Sequence, residues 1–201
     1  MNKKMKRNAR YFMIIIGMFM VGSIWAQGKW TVDPVHSKVG FNVTHLVISE
    51  VDGSFKTYSG TLTAIKPDFT DAKIDFTVDV ASISTDNDMR DKHLKSDDFF
   101  NAEKFPQMTF TSTSFTKVTG NKYVLEGNFK IRDVTKVVKF DVVYGGTVKD
   151  GYGNTKAGFK ATTTINRLEY GLKWNALTEA GGAVVSPDVN IVLNLEFALQ
   201  K

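Results

Sequence analysis

Val189-Asn190-Ile191-Val192-Leu193-Asn194-Leu195-Glu196-Phe197-Ala198-Leu199 puts an apolar side chain at every second position for eleven residues. A period of two is the signature of a β-strand with one greasy and one wet face, and no helix shares it. The same alternation recurs upstream. Ile74, Phe76, Val78 and Val80 oppose Asp75, Thr77 and Asp79, and Tyr123, Leu125, Phe129 and Ile131 repeat the row, as do Val138, Phe140, Val142 and Tyr144. Eight strands are expected, over 38–46, 53–65, 72–83, 107–118, 122–132, 136–149, 156–168 and 188–199, with a short extra one at 29–33 ended by Pro34. Most links carry turn chemistry (Pro67-Asp68, Thr119-Gly120-Asn121, Asp150 to Asn154), which joins antiparallel neighbours. Greasy faces that must share one inside, with no exposed edge, predict an all-β fold: an elongated, eight-stranded, antiparallel up-and-down β-barrel.

Two segments break the pattern. Asn87–Lys95 lacks period two and predicts a short helical insertion at 87–100, with Ser84-Thr85-Asp86 offering caps before it. Glu169–Pro187, with Trp174 and Gly181-Gly182, reads as a long loop of the kind that is usually functional. Pro187 leaves the start of the last strand open.

Residues 1–26 are expected to lie outside the fold as a secretory signal peptide: Lys3, Lys4, Lys6, Arg7 and Arg10 precede an apolar run from Tyr11 to Trp25. That run is shorter than the roughly 20 residues of a membrane span. An uncleaved N-terminal anchor is the alternative. The reading gives a single domain at 27–201, located in the periplasm or secreted. All five leader charges are basic, so the 26 basic and 21 acidic residues become 21 of each in the remainder. A neutral domain lacks the basic footprint of a nucleic-acid binder. The chain has no cysteine, which excludes disulfides, thiol catalysis and thiolate metal sites.

The expected inner rows are Val39, Phe41, Val43, Phe55, Ile74, Phe76, Val78, Val80, Met108, Phe110, Leu125, Phe129, Val138, Phe140, Val142, Leu193 and Leu195. They carry no charge, so a cavity among them would solvate an alkyl or isoprenoid chain. Alternatively these side chains pack on one another as a dry core. Eight strands are the size at which a barrel is either filled or holds one small guest.

Few residues could carry chemistry. His36, His45 and His93 could converge on zinc only through a sharp bend, because nine extended residues separate the first two by about 30 Å. Asp33, His36 and Ser37 hint at a nucleophilic triad, but adjacent His36 and Ser37 point apart on a regular strand, and capping of the Pro34 turn is the simpler reading. Arg90, Asp91 and His93 on the insertion and Arg167 at the end of the seventh strand belong at the barrel rim, paired with one another or greeting a ligand's polar head.

Several motifs occur together in one order. Trp30-Thr31-Val32-Asp33-Pro34-Val35-His36-Ser37-Lys38-Val39-Gly40-Phe41-Asn42-Val43-Thr44-His45-Leu46 resembles the opening signature of the YceI-like polyisoprenoid-binding family. Gly53-Ser54-Phe55 and Ser59-Gly60-Thr61-Leu62 fit its second strand. Arg90 to Phe100, followed by Phe105-Pro106, resembles its central helical motif, and Asn166 to Trp174 its late Asn-Arg and aromatic-Gly motif. The resemblance implies a lipocalin-like barrel that carries an isoprenoid quinone or a polyprenyl lipid, without catalysis and without a cofactor beyond that lipid. It implies a mouth or lid built from His36, His45, Arg90, His93, Leu94, Phe99, Phe100, Arg167 and Trp174. A transient membrane-surface contact and a homodimer stay open. The alternatives are a metal-dependent enzyme or a stress-related interaction module using the His36, His45 and His93 end.

Overall fold

Alternation dictates extended backbone, and extended backbone must pair. The computed structural model describes residues 28–177 and 183–200; the expected leader and Gly181-Gly182 lie outside them. The strands are β1 (Gly28–Val32), β2 (Lys38–His45), β3 (Ser49–Phe55), β4 (Tyr58–Ala64), β5 (Lys73–Asp79), β6 (Ile83–Ser84), β7 (Gln107–Thr119), β8 (Lys122–Ile131), β9 (Val134–Lys149), β10 (Thr155–Asn166) and β11 (Val185–Leu199), with one helix, α1 (Asp88–Lys95). All pairings are antiparallel.

One strand closes the ring. Phe197, Ala198 and Leu199 of β11 pair with β1, while Val185 to Asn194 of the same strand pair with β2. Thus β1 and β2 are one strand, interrupted at 33–37. Counted this way the barrel has eight staves in chain order, an up-and-down meander as expected from the short links.

Three strand boundaries differ from expectation. The stretch 53–65 begins earlier, at Ser49, and breaks at Lys56-Thr57 into β3 and β4. The stretch 72–83 breaks at Val80–Ser82, a 3-10 turn whose start is capped by Asp79. These two breaks face each other: Lys56 N donates to Ser82 O (3.1 Å), Thr57 N to Ser82 Oγ (3.0 Å) and Asp79 N to Thr57 O (2.9 Å). Each kink satisfies the polar groups that the other leaves, as buried backbone requires. The third difference is at 156–168, where the strand stops at Asn166 and Arg167–Tyr170 form a 3-10 turn ended by Gly171 in the left-handed region (φ 81°).

Pro187 does not delay the last strand, which starts at Val185. Having no N–H, it instead spoils the ladder locally: Val185 pairs with His45 and Val189 with Val43, so the intervening residues bulge.

The helix is shorter than 87–100, and its cap is Asn87, whose side chain accepts from Arg90 N at 3.0 Å. Ser84 and Thr85 do not cap it. Ser84 belongs to β6, while Thr85 donates through N and Oγ1 to the buried Asp91 carboxylate at 2.8 and 2.6 Å. Eight residues make no stable helix in water, so this docking and the inward-facing Leu94 hold it.

Candidate functional site: an apolar bore

The inner faces enclose a cavity of about 180 Å3. An apolar cavity of roughly 150 Å3 already stays dry and admits a benzene-sized guest. Its walls are apolar side chains, mostly from strands between β2 and β11, and the polar residues bordering it are Thr109 and Arg167. One end is shut. Phe69, in the turn between β4 and β5, sits with ring centroids 5.4 Å from Trp30, 5.5 Å from Tyr144 and 5.4 Å from Phe159. It is 3% exposed. At the other end the inward residues of β2 and β11 (Phe41, Val43, Val189, Ile191) are only half-buried, so the bore opens there.

A barrel this rich in phenylalanine stays hollow because of what lies opposite three of the rings. Phe41 pairs across strands with Gly53, Phe76 with Gly60, and Phe110 lies diagonally across from Gly127. In each case the ring covers the glycine so closely that a methyl group there would overlap it. The rings therefore lie against the wall instead of across the lumen.

Of the expected lining residues, Val39, Phe41, Val43, Phe55, Ile74, Phe76, Val78, Met108, Phe110, Leu125, Phe129, Phe140, Val142, Leu193 and Leu195 border the cavity. Val80 and Val138 do not. Val80 sits fully buried in the 3-10 turn (1% exposed), off the strand row that would have aimed it inward. Val138 pairs with Gly127 and is buried in the wall where the Phe110 ring lies across that glycine. The row of β11 extends further than expected, to Val185, Val189, Ile191 and Phe197, and Phe159, Ala161 and Ile165 of β10 join it. Both alternations were visible in the sequence. Leu62, Phe115 and Leu172 also line the bore, the last from the loop after Gly171.

The rim splits. Leu94, Phe99, Phe100 and Arg167 border the cavity. His93 and Trp174 stand one layer out, with their rings 5.1 and 5.6 Å from that of Phe99, and His93 Nε2 lies 2.9 Å from Asp98 Oδ2. Arg90 is an exposed clamp that donates to Thr85 Oγ1 and O, both at 2.7 Å. His45 ends β2 opposite Ser49 and does not border the cavity. An arginine the sequence reading passed over, Arg132, ties this end together: its Nη1 donates to Asp97 O, Phe99 O and Gly171 O. A lone basic residue in a two-residue hairpin gives no hint of partners so distant in the chain.

His36 is not at the mouth. It sits on the outer wall where β1 breaks into β2, its Nδ1 3.0 Å from Asp33 Oδ2 and 3.7 Å from Glu196 Oε1. Lys156 Nζ lies 2.7 Å from Asp33 Oδ2 and 3.1 Å from Glu196 Oε1. Asp33, His36 and Glu196 are the one grouping of potential metal ligands among the described residues, and the Lys156 ammonium already supplies the positive charge between its carboxylates. His36, His45 and His93, which only a sharp bend could have gathered, are not brought together among the described residues. Lys156, and next His36, hold the Asp33 carboxyl well below the ordinary range, and Asp33 in turn raises Lys156. Asp33 also caps Val35 N (3.0 Å), and Ser37 Oγ accepts from Glu196 N (2.9 Å), a ladder donor on β11 facing the break between β1 and β2. This cluster is a staple, and no base faces a nucleophile in it.

Comparison with known proteins agrees with this architecture. The YceI-like domain family matches residues 30–197. A UPF0312 protein of Staphylococcus aureus is 37% identical over 174 residues, 86% of this chain and 99% of its own. The Campylobacter jejuni YceI protein superposes with a TM-score of 0.65 at 32% identity, over 79% of this chain and 90% of its own. Two more distant structures share the fold alone: BcnA of Burkholderia cenocepacia (TM-score 0.72, 23% identity, covering 82% and 98%) and a domain of Saccharophagus degradans described as polyisoprenoid-binding (0.62, 16%, covering 85% and 98%).

Proposed function

This chain belongs to the YceI-like domain family, and we propose that it is a non-enzymatic carrier of an isoprenoid lipid, a quinone or polyprenyl compound, acting in the periplasm or outside the cell. One observation supports this above the rest: a hollow, apolar bore that runs from an aromatic floor to a half-buried rim. The family, and the polyisoprenoid-binding description of the distant structural neighbour, support the same reading. On the benzene benchmark the bore as it stands accommodates on the order of seven carbons. Their burial contributes about 6 kcal/mol at roughly 0.8 kcal/mol per methylene, before the costs of association. A longer tail gains more by following the inward face of β2 and β11 toward the rim, where Val47 and Ile48 at the hairpin tip stand exposed beside it. That tip suits brief contact with a membrane surface during loading.

The carrier role is tested by native mass spectrometry and solvent extraction of protein exported in a lipid-replete host. Co-purifying isoprenoid is the expected outcome. Protein that emerges without lipid, and that also fails to bind added farnesol, would remove the role. Loss of vesicle co-sedimentation in Ile48→Asp, with cargo affinity unchanged, is expected if the hairpin tip meets the membrane; unchanged sedimentation rejects that part alone.

A further inference from the structure

Two polar side chains border the otherwise apolar bore, Thr109 and Arg167, and the second carries a full charge. Arg167 is 4% exposed and borders the cavity. Its Nε donates to Ser186 O (2.9 Å), Nη1 to Leu172 O (2.7 Å) and Trp174 O (2.8 Å), and Nη2 to Val185 O (3.1 Å). These are four of the five N–H groups a guanidinium owns. The acceptors are all neutral carbonyls, and among the described residues no carboxylate lies within ion-pairing distance of Arg167. The Phe99 ring, 5.9 Å away, is the other neighbour that eases the charge.

Carbonyl dipoles satisfy N–H groups but do not neutralise a cation, and in a low-dielectric interior an unneutralised cation attracts an anion far more strongly than at the surface. Burial pushes the Arg167 pKa below its ordinary value, which marks how little compensates the charge. Contrast Arg132, at the same end of the barrel: it also donates to backbone carbonyls, but it has Asp97 as counter-ion at 3.3 Å.

We infer that the guest of this bore carries an oxyanion head, a carboxylate or a phosphate monoester, drawn to the uncompensated charge of Arg167 in the wall, with its hydrocarbon tail running toward Phe159 and Phe197. The inference rests on the carrier reading above and moves it from a neutral quinone toward an acidic lipid. The shared chemistry is one apolar tail ending in one charged oxygen group; the two acid classes differ in the head, a planar monoanion against a tetrahedral group that carries up to two charges.

The test compares heads on one tail, using the full mature chain stripped of lipid: farnesol, farnesoic acid and farnesyl monophosphate, titrated calorimetrically at neutral pH in 0.15 and 0.5 M NaCl. At least one acid is expected to bind tenfold or more tighter than the alcohol, and to keep that advantage at high salt, because a buried pair escapes screening. Whichever acid gains more identifies the class of head. An advantage that vanishes at 0.5 M salt belongs to exposed surface charge and overturns the inference. Three equal affinities overturn it as well while leaving the carrier role standing; no binding of any probe overturns both. Arg167→Gln strips four carbonyls of their donor and threatens the fold, so the head series in the unaltered chain decides. Where that variant still melts cooperatively, the acid advantage is expected to disappear, and an undiminished advantage counts against Arg167.

Discussion

The two ends of this barrel are built from the same residue type and reach opposite results. At the floor, Phe69 meets Trp30, Tyr144 and Phe159, ring against ring, and the space is filled. Further along the bore, Phe41, Phe76 and Phe110 meet Gly53, Gly60 and Gly127, ring against backbone, and the space remains. A phenylalanine thus seals or lines according to the residue across the strand from it. Hollowness here follows from three cross-strand pairings, since that stretch of the bore has no lack of bulk. It also separates stability from binding: the floor carries more of the first and the shelved rings set the room for the second.

The comparison breaks most visibly at Phe69. Phe69→Ala is expected to cost about 3–5 kcal/mol in denaturant unfolding, as deletion of a buried aromatic does. Phe100→Ala, at the half-buried rim, should cost well under half of that. Equal losses would mean that the two ends are not built differently. Next, Gly60→Ala should drive the Phe76 ring toward the lumen, destabilise by about 1–3 kcal/mol through overpacking, and weaken farnesol binding at least tenfold. Gly151→Ala, with nothing within 4 Å, is the control and should change neither measurement. Calorimetry on the pair sharpens the assignment of the glycines as the gauge of the bore.

The outer staple comes next in size. The Asp33 pKa is depressed in the folded state, so its contribution is present above its unfolded value near 4 and is lost as pH falls through the lower folded value. Thermal melts should therefore fall steadily below about pH 4 in the native chain and less steeply in Asp33→Asn, which at neutral pH should cost about 1–2 kcal/mol. Parallel pH profiles would remove the staple's role. The smallest effect is expected at His93. Its side chain is 41% exposed and that of its partner Asp98 62%, so His93→Gln should shift stability by less than about 1 kcal/mol.

Much of the wall was legible. Alternation gave the staves, their order and fifteen of the seventeen residues expected to line the bore, because burial on a strand is a local, two-residue periodicity. Val80 in a 3-10 turn and His36 on the outer wall were misplaced where the chain leaves that period; Val138 keeps the period but is covered where the Phe110 ring lies across Gly127, and Arg132 was passed over because its partners lie more than thirty residues away. The breaks at 56–57 and 80–82 had no local signal because each exists to satisfy the other.

By itself, then, the sequence determined which face of each strand turns inward and that those faces close into one apolar barrel, since both follow from spacing along the chain. Only the tertiary structure decided that the barrel is hollow toward its rim and that one unneutralised guanidinium stands in its wall. A ring covers a glycine, or a cation is left without a carboxylate, only through register between separate segments of the chain, and no spacing within a single strand encodes that.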